Sequence, residues 1–129
     1  MSQFRKSILP ILLTGIWING SETVRWELLV KSYWIEHYQD MNLVFPSALM
    51  NGITWMIWGF FLAFSIFIIS KKFNLIQTTL LSWFMVFVML WVVLWNINVF
   101  PVTILFIVVP LSWIEVFVAT WICKKLQLK

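Results

Sequence analysis

The chain has 129 residues, 62% of them hydrophobic and 11% charged, with a formal net charge of +4 and a single Cys. Soluble domains run near 45–50% apolar and about 25% charged. A water-soluble domain, a disordered tail and a disulfide-rich secreted module are therefore excluded, which leaves a polytopic membrane protein.

A spanning helix needs about 20 mostly apolar residues. The chain predicts four spans, over about 7–24, 47–70, 75–95 and 102–123. The first is the weakest. Ser7 to Asn19 gives roughly 20 Å of helix, against a hydrocarbon core of about 30 Å. Extension to Val24 supplies the length but brings in Asn19, Gly20, Ser21, Glu22 and Thr23. A cleaved signal peptide is the rival reading, since Arg5 and Lys6 precede a short apolar run. No A-x-A-like site follows, which disfavours it.

The connection that follows is too long and too patterned for a plain loop. Trp26, Leu29, Val30, Tyr33, Trp34 and His37 recur at helical spacing. Val24, Leu28 and Ile35 form a second stripe on roughly the opposite side. Asn19 with Glu22 resembles a capping box, and Glu27 with Lys31 is a favourable i,i+4 pair. These features predict an outer amphipathic helix over about 21–38. Its two stripes would touch the spans on one side and the interface or a partner on the other. Glu36, His37 and Asp40 at its end are the candidates for chemistry on a lipid. His37 and Asp40 supply two metal ligands, short of the three a catalytic zinc needs, so neither a metal nor a cofactor is expected.

Val44-Phe45-Pro46 opens the second span and Val99-Phe100-Pro101 the fourth; Lys71-Lys72 and Lys124-Lys125 close them. The two hairpins thus read as a parallel repeat, or as Pro in a first helical turn and Lys at two like ends. Arg5, Lys6, Lys71, Lys72, Lys124, Lys125 and Lys129 fall on one side of a four-span map. The positive-inside rule makes that side, with both termini, cytoplasmic.

Glu115 is the one charge inside the last span. A carboxylate there is costly and should face protein, close behind a kink at Pro110. Counted from the lysine-bearing ends, Glu115, Ser82 and Thr14 all lie about 10–12 Å deep. With Ser112 they form a candidate polar layer. It reads either as a proton or cation site or as a carboxyl bonded to hydroxyls that holds helices together. In the outer half, Trp55, Trp58, Trp91, Trp95, Asn51, Asn96 and Asn98 make a candidate aromatic pocket or an interfacial belt. Cys123 is a boundary thiol without a partner in the chain.

The expected fold is an all-α, integral membrane four-helix bundle with an extra amphipathic helix in its first extracytoplasmic loop, in a bacterial inner membrane. No Ser-His-Asp order, paired-Cys motif or Gly-rich phosphate loop is present. The leading expectation is a non-catalytic accessory protein that binds a membrane partner through Trp26, Tyr33 and Trp34, or associates with its own copies. A small-solute or ion transporter using Glu115 comes second and a lipid-modifying enzyme third. The bilayer is the expected surrounding, and nucleic acid is not a partner, since the basic residues mark orientation and do not form an exposed patch.

Overall fold

The computed structural model describes residues 3–128. The chain is all-helical, 86% helix with no strands among the described residues. The helices are α1 (Leu9–Arg25), α2 (Lys31–Asp40), α3 (Leu49–Ser70), α4 (Leu75–Trp83), α5 (Met89–Asn96) and α6 (Leu105–Gln127). Wide i→i+5 turns at Phe4–Ile8, Trp26–Val30 and Phe84–Val88 join or extend them, and a tight 3-10 turn at Val102–Ile104 leads into α6.

Three helices are long and apolar enough to cross a membrane: Leu49–Ser70, Leu75–Asn96 and Val102–Gln127. Only 28%, 22% and 33% of their apolar windows are buried within the protein. The rest faces outward, where water would be a poor solvent for it and lipid a good one. This is a membrane protein. The expected first span is not among the three, because α1 carries Asn19, Glu22, Thr23 and Arg25.

The N-terminal region departs most from expectation. The first span and the outer helix are not two elements. Backbone helix runs without interruption from Phe4 to Asp40, about 54 Å at 1.5 Å per residue. Asn19 is therefore no N-cap. It sits inside α1, where its Nδ2 donates to the Gly15 carbonyl at 2.9 Å and to the Met56 carbonyl of α3 at 3.3 Å. The contact is possible because Gly59 has no side chain: a Cβ there would lie 2.7 Å from Asn19 Nδ2. Gly15 meets α3 likewise, with a Cβ position 2.2 Å from the Phe60 ring. Small residues at two successive contacts let the α1 and α3 backbones approach closely.

The wide turn at Trp26–Val30 resets which face of the helix looks inward. Thr14, Ile18 and Arg25 are buried at helical spacing, and the next buried position, Val30, comes five residues later. One extra residue in the turn rotates the following face by about 100°, so Val30, Trp34 and His37 meet the packed helices while Leu29 and Tyr33 stay exposed. The turn at Phe84–Val88 does the same between Ser82 and Phe87, both buried.

α1 packs on α3 and α6, α4 packs on α6 and α3, and α3 touches α6. The main core is built from Ile18, Leu62, Ala63, Ile66, Phe67, Phe87, Val116, Ala119 and Cys123. A smaller core of Val30, Phe100, Ile104 and Val108 lies under the start of α2. The outer helix therefore packs down onto the ends of the other helices.

Two matched corners frame that small core. α2 ends at Asn42, whose φ is 60°, with Leu43 N donating to Tyr38 O and Asn42 N to Gln39 O, both at 2.9 Å. α5 ends at Asn98, φ 65°, with Val99 N donating to Leu94 O at 3.1 Å and Asn98 N to Trp95 O at 3.0 Å. Both are Schellman closures with Asn in the left-handed position. Each leads into Val-Phe-Pro, and the two Phe rings grip one side chain: Trp34 lies 6.0 Å from Phe45 and 5.6 Å from Phe100, edge-on to both. At the opposite end Lys124 Nζ donates to the Ser70 and Phe73 carbonyls at 2.8 and 2.9 Å, closing the C-terminus of α3. α4 opens with a capping box, Asn74 Oδ1 accepting from Gln77 N at 2.8 Å and Gln77 Oε1 from Asn74 N at 3.2 Å.

Candidate functional site: a buried charge cluster between α1 and α6

Glu115 lies midway along the Val102–Gln127 helix, with its side chain fully buried. Side chains on a helix lean toward its N-terminus, so the carboxyl points toward the Val102 end, which is also the end where α1 carries Ser21, Glu22 and Arg25. Arg25 is 8% exposed. Its Nη2 hydrogen-bonds Glu22 Oε1, and its Nη1 stands 3.8 Å from Glu115 Oε1. Arg25 thus brings the Glu22 and Glu115 carboxyl groups to one guanidinium. The Arg25 guanidinium also lies 5.8 Å from the centroid of the Phe87 ring, an added attraction for a buried cation. Trp17 locks the register one layer further in, its Nε1 donating to the Glu115 backbone carbonyl at 2.9 Å.

The cluster is largely buried, with Glu22 at its rim, and incompletely satisfied. Both Glu115 oxygens and Arg25 Nη1 are buried without a hydrogen-bond partner. Buried polar atoms are nearly always paired, so three such atoms within one cluster set it apart. The hydroxyls of Thr14, Ser82 and Thr120 are also buried and unpartnered.

Of the expected polar layer, Glu115, Ser82, Ser112 and Thr14 are all buried, and no hydrogen bond joins any two of them. Thr14 faces Cys123, more than one helical turn from Glu115 toward the lysine-bearing end. Ser112 is already engaged, accepting from Trp83 Nε1 at 2.9 Å and donating to Val109 O at 3.1 Å. Glu115 instead joins Arg25 and, through it, Glu22, which the sequence places in the outer amphipathic helix, away from the last span. The signal for this was present. Thr14, Ile18, Ser21, Glu22 and Arg25 continue one helical stripe past the expected span end.

The expected outer pocket separates into three environments. Trp58 and Trp91 flank Phe87 at 5.6 and 5.8 Å. Trp55 stands edge-on to Trp58 at 5.6 Å and is half exposed, and Trp95 is 62% exposed. Asn51 caps the start of α3, its Oδ1 accepting from Ala48 N at 3.0 Å. Asn96 is exposed at the end of α5, and Asn98 turns the corner described above. The rings form one continuous series, Trp55–Trp58–Phe87–Trp91–Phe100–Trp34–Phe45, with Trp83, Trp26 and Tyr38 attached. It lies over the charge cluster at the Arg25–Phe87 contact.

In the outer helix, Trp26 stacks on Phe45 at 5.0 Å and Trp34 fills the corner between the two Phe rings. His37 Nε2 is 3.0 Å from the Asn98 carbonyl, tying α2 to the α5 corner. Tyr33, Glu36 and Asp40 are exposed. Among the described residues no three His, Cys, Asp or Glu side chains come together in a way that could hold a metal ion.

The chain matches no known family, no curated protein and no solved structure.

Proposed function

We propose that the chain crosses a bacterial inner membrane four times, with both ends on the cytoplasmic side. On this reading it acts as a non-catalytic interaction protein whose outer helix meets another integral membrane protein. The fourth crossing is α1 with the turn before it. Phe4 to Arg25 covers about 32 Å at 1.5 Å per residue, enough for a hydrocarbon core of about 30 Å. Its outward residues Ile8, Leu12, Leu13 and Ile16 are apolar and exposed. Of its charged residues, Arg5 and Lys6 stand at the lysine-bearing end, and Arg25 is covered by protein with Glu22 paired to it, which removes the objection to placing them at membrane depth. The lysine pairs then share one face. With Lys72→Cys and Asn98→Cys, a membrane-impermeant thiol reagent is expected to reach the two from opposite faces of intact vesicles. The native Cys123 is buried and contributes no background. Labelling of both from one face would overturn the four-span map.

The observation that carries the interaction reading is the outward side of the long helix. Val24 is 57% exposed, Leu28 75% and Leu29 45%, beside the Glu27–Lys31 pair at 3.3 Å. These apolar groups sit at the membrane's outer edge, next to a fixed pair of charges, and face away from the protein's own core. A neighbouring membrane protein would bury them. A photoreactive residue at Leu28 is expected to yield a discrete protein adduct in native membranes, and one at Leu80, on the lipid-facing side of α4, lipid adducts only. Lipid adducts alone from both positions would refute the reading.

A second reading, a proton- or ion-handling protein, draws on the Glu22–Arg25–Glu115 cluster.

A further inference from the structure

We propose that the Glu22–Arg25–Glu115 cluster is a binding site for one exchangeable proton, held between the two carboxyl groups. It stands apart from the partner reading and survives that reading's failure.

Charge counting is the first argument. Two carboxylates and one guanidinium leave one net negative charge in a largely buried site: the Glu115 side chain is 0% exposed, Arg25 9% and Glu22, at the rim, 24%. Among the described residues no other element supplies a compensating cation: Arg5 and Lys6 are exposed at the far end of the helix that carries Arg25, and Lys31 is paired with Glu27. α3, α4, α5 and the turn Phe84–Val88 contain no ionisable side chain. On α6 the nearest cation, Lys124, is two and a half turns away and bonded to the Ser70 and Phe73 carbonyls. An uncompensated buried charge costs several kcal/mol even after relaxation, and one bound proton removes it.

Geometry is the second argument. Arg25 is committed to Glu22 through Nη2, and Nη1 stays 3.8 Å from Glu115, beyond hydrogen-bond length. Both Glu115 oxygens are left with no donor. The one guanidinium meets both carboxyl groups, which brings Glu22 beside Glu115. A carboxyl beside a carboxylate needs a donor between them, and a proton on either oxygen supplies it. A sodium-like cation fits worse. It needs about six oxygen ligands, and the guanidinium at 3.8 Å would repel it.

The chain has five acidic residues, and the other three, Glu27, Glu36 and Asp40, are exposed. A neutral carboxyl at neutral pH is thus attributable to this cluster. The test is infrared spectroscopy of the full-length protein in lipid vesicles at neutral pH, in H2O and D2O. The wild-type chain is expected to show a neutral-carboxyl carbonyl band that shifts on deuteration. Glu115→Gln and Glu22→Gln should each abolish it, because the remaining carboxylate then pairs with Arg25 as a balanced ion pair. Glu27→Gln should leave it unchanged. Absence of the band in wild type, or its survival in either Glu115→Gln or Glu22→Gln, would overturn the proposal. Two independent variants keep the test decisive if one of them fails to fold.

Discussion

Arg25→Met is expected to destabilise the protein by about 3–5 kcal/mol, the range for removing one partner of a buried ion pair. The measurement is unfolding in mixed detergent micelles. Arg25 is the only cation in a cluster with two carboxyl groups. Its loss leaves Glu115 buried opposite Glu22 with nothing to offset either. Glu115→Gln should cost much less, about 1 kcal/mol, because it keeps the shape and leaves the Arg25–Glu22 pair intact. The combined change Glu22→Gln, Arg25→Met, Glu115→Leu should recover most of the loss, since apolar replacement of a whole buried ionic cluster is commonly neutral or better. This ordering separates electrostatics from packing. If Arg25→Met and Glu115→Gln cost the same, Arg25 acts through the packing of its side chain and not through its charge.

Trp34→Ala is expected to release α2 from the rest of the molecule. A full Trp-to-Ala truncation in a core costs about 3–5 kcal/mol. Trp34 is half-buried, so the lower part of that range applies. The loss falls on one place. Trp34 is the side chain gripped by both Val-Phe-Pro corners and packed on the small core of Val30, Phe100, Ile104 and Val108. Without it, α2 keeps the Tyr38–Phe45 contact and the His37–Asn98 bond as its main ties, with the Trp26–Phe45 stack just ahead of it. Amide exchange over Lys31–Asp40 should rise by one or more orders of magnitude while α3 and α6 stay protected. Equal loss of protection in α3 would show that the small core is part of a single cooperative unit with the main one.

The connection between these regions runs through the aromatic series. Arg25 touches Phe87, Phe87 touches Trp91, Trp91 touches Phe100, and Phe100 touches Trp34. Double substitution at Arg25 and Trp34 reads out directly whether the charge cluster and the outer corner are energetically coupled.

The helical class, the three long apolar helices and their ends followed from local chemistry that sequence displays. Unbroken apolar runs marked the spans, and Pro46 and Pro101 marked the openings of two of them. Such features depend on a few neighbouring residues and need no tertiary partner. The Val-Phe-Pro repeat was visible too, though not its use. Only the fold shows that Phe45 and Phe100 close on the same Trp34.

What tertiary structure alone decided was where the first helix stops and which charges it buries. Asn19, Gly20, Ser21 and Glu22 read locally as a helix end, because Asn caps and Gly and Ser weaken helices. In the folded chain Asn19 is instead bound to the Gly15 and Met56 carbonyls against Gly59, and the helix continues. Glu22 and Arg25 then reach Glu115 across some ninety residues of chain. Helix propensity is worth fractions of a kcal/mol per residue, whereas the burial of a helix face against two others is worth several. Packing therefore outweighed propensity and set the boundary, and with it brought two charges expected on an outer surface helix against Glu115.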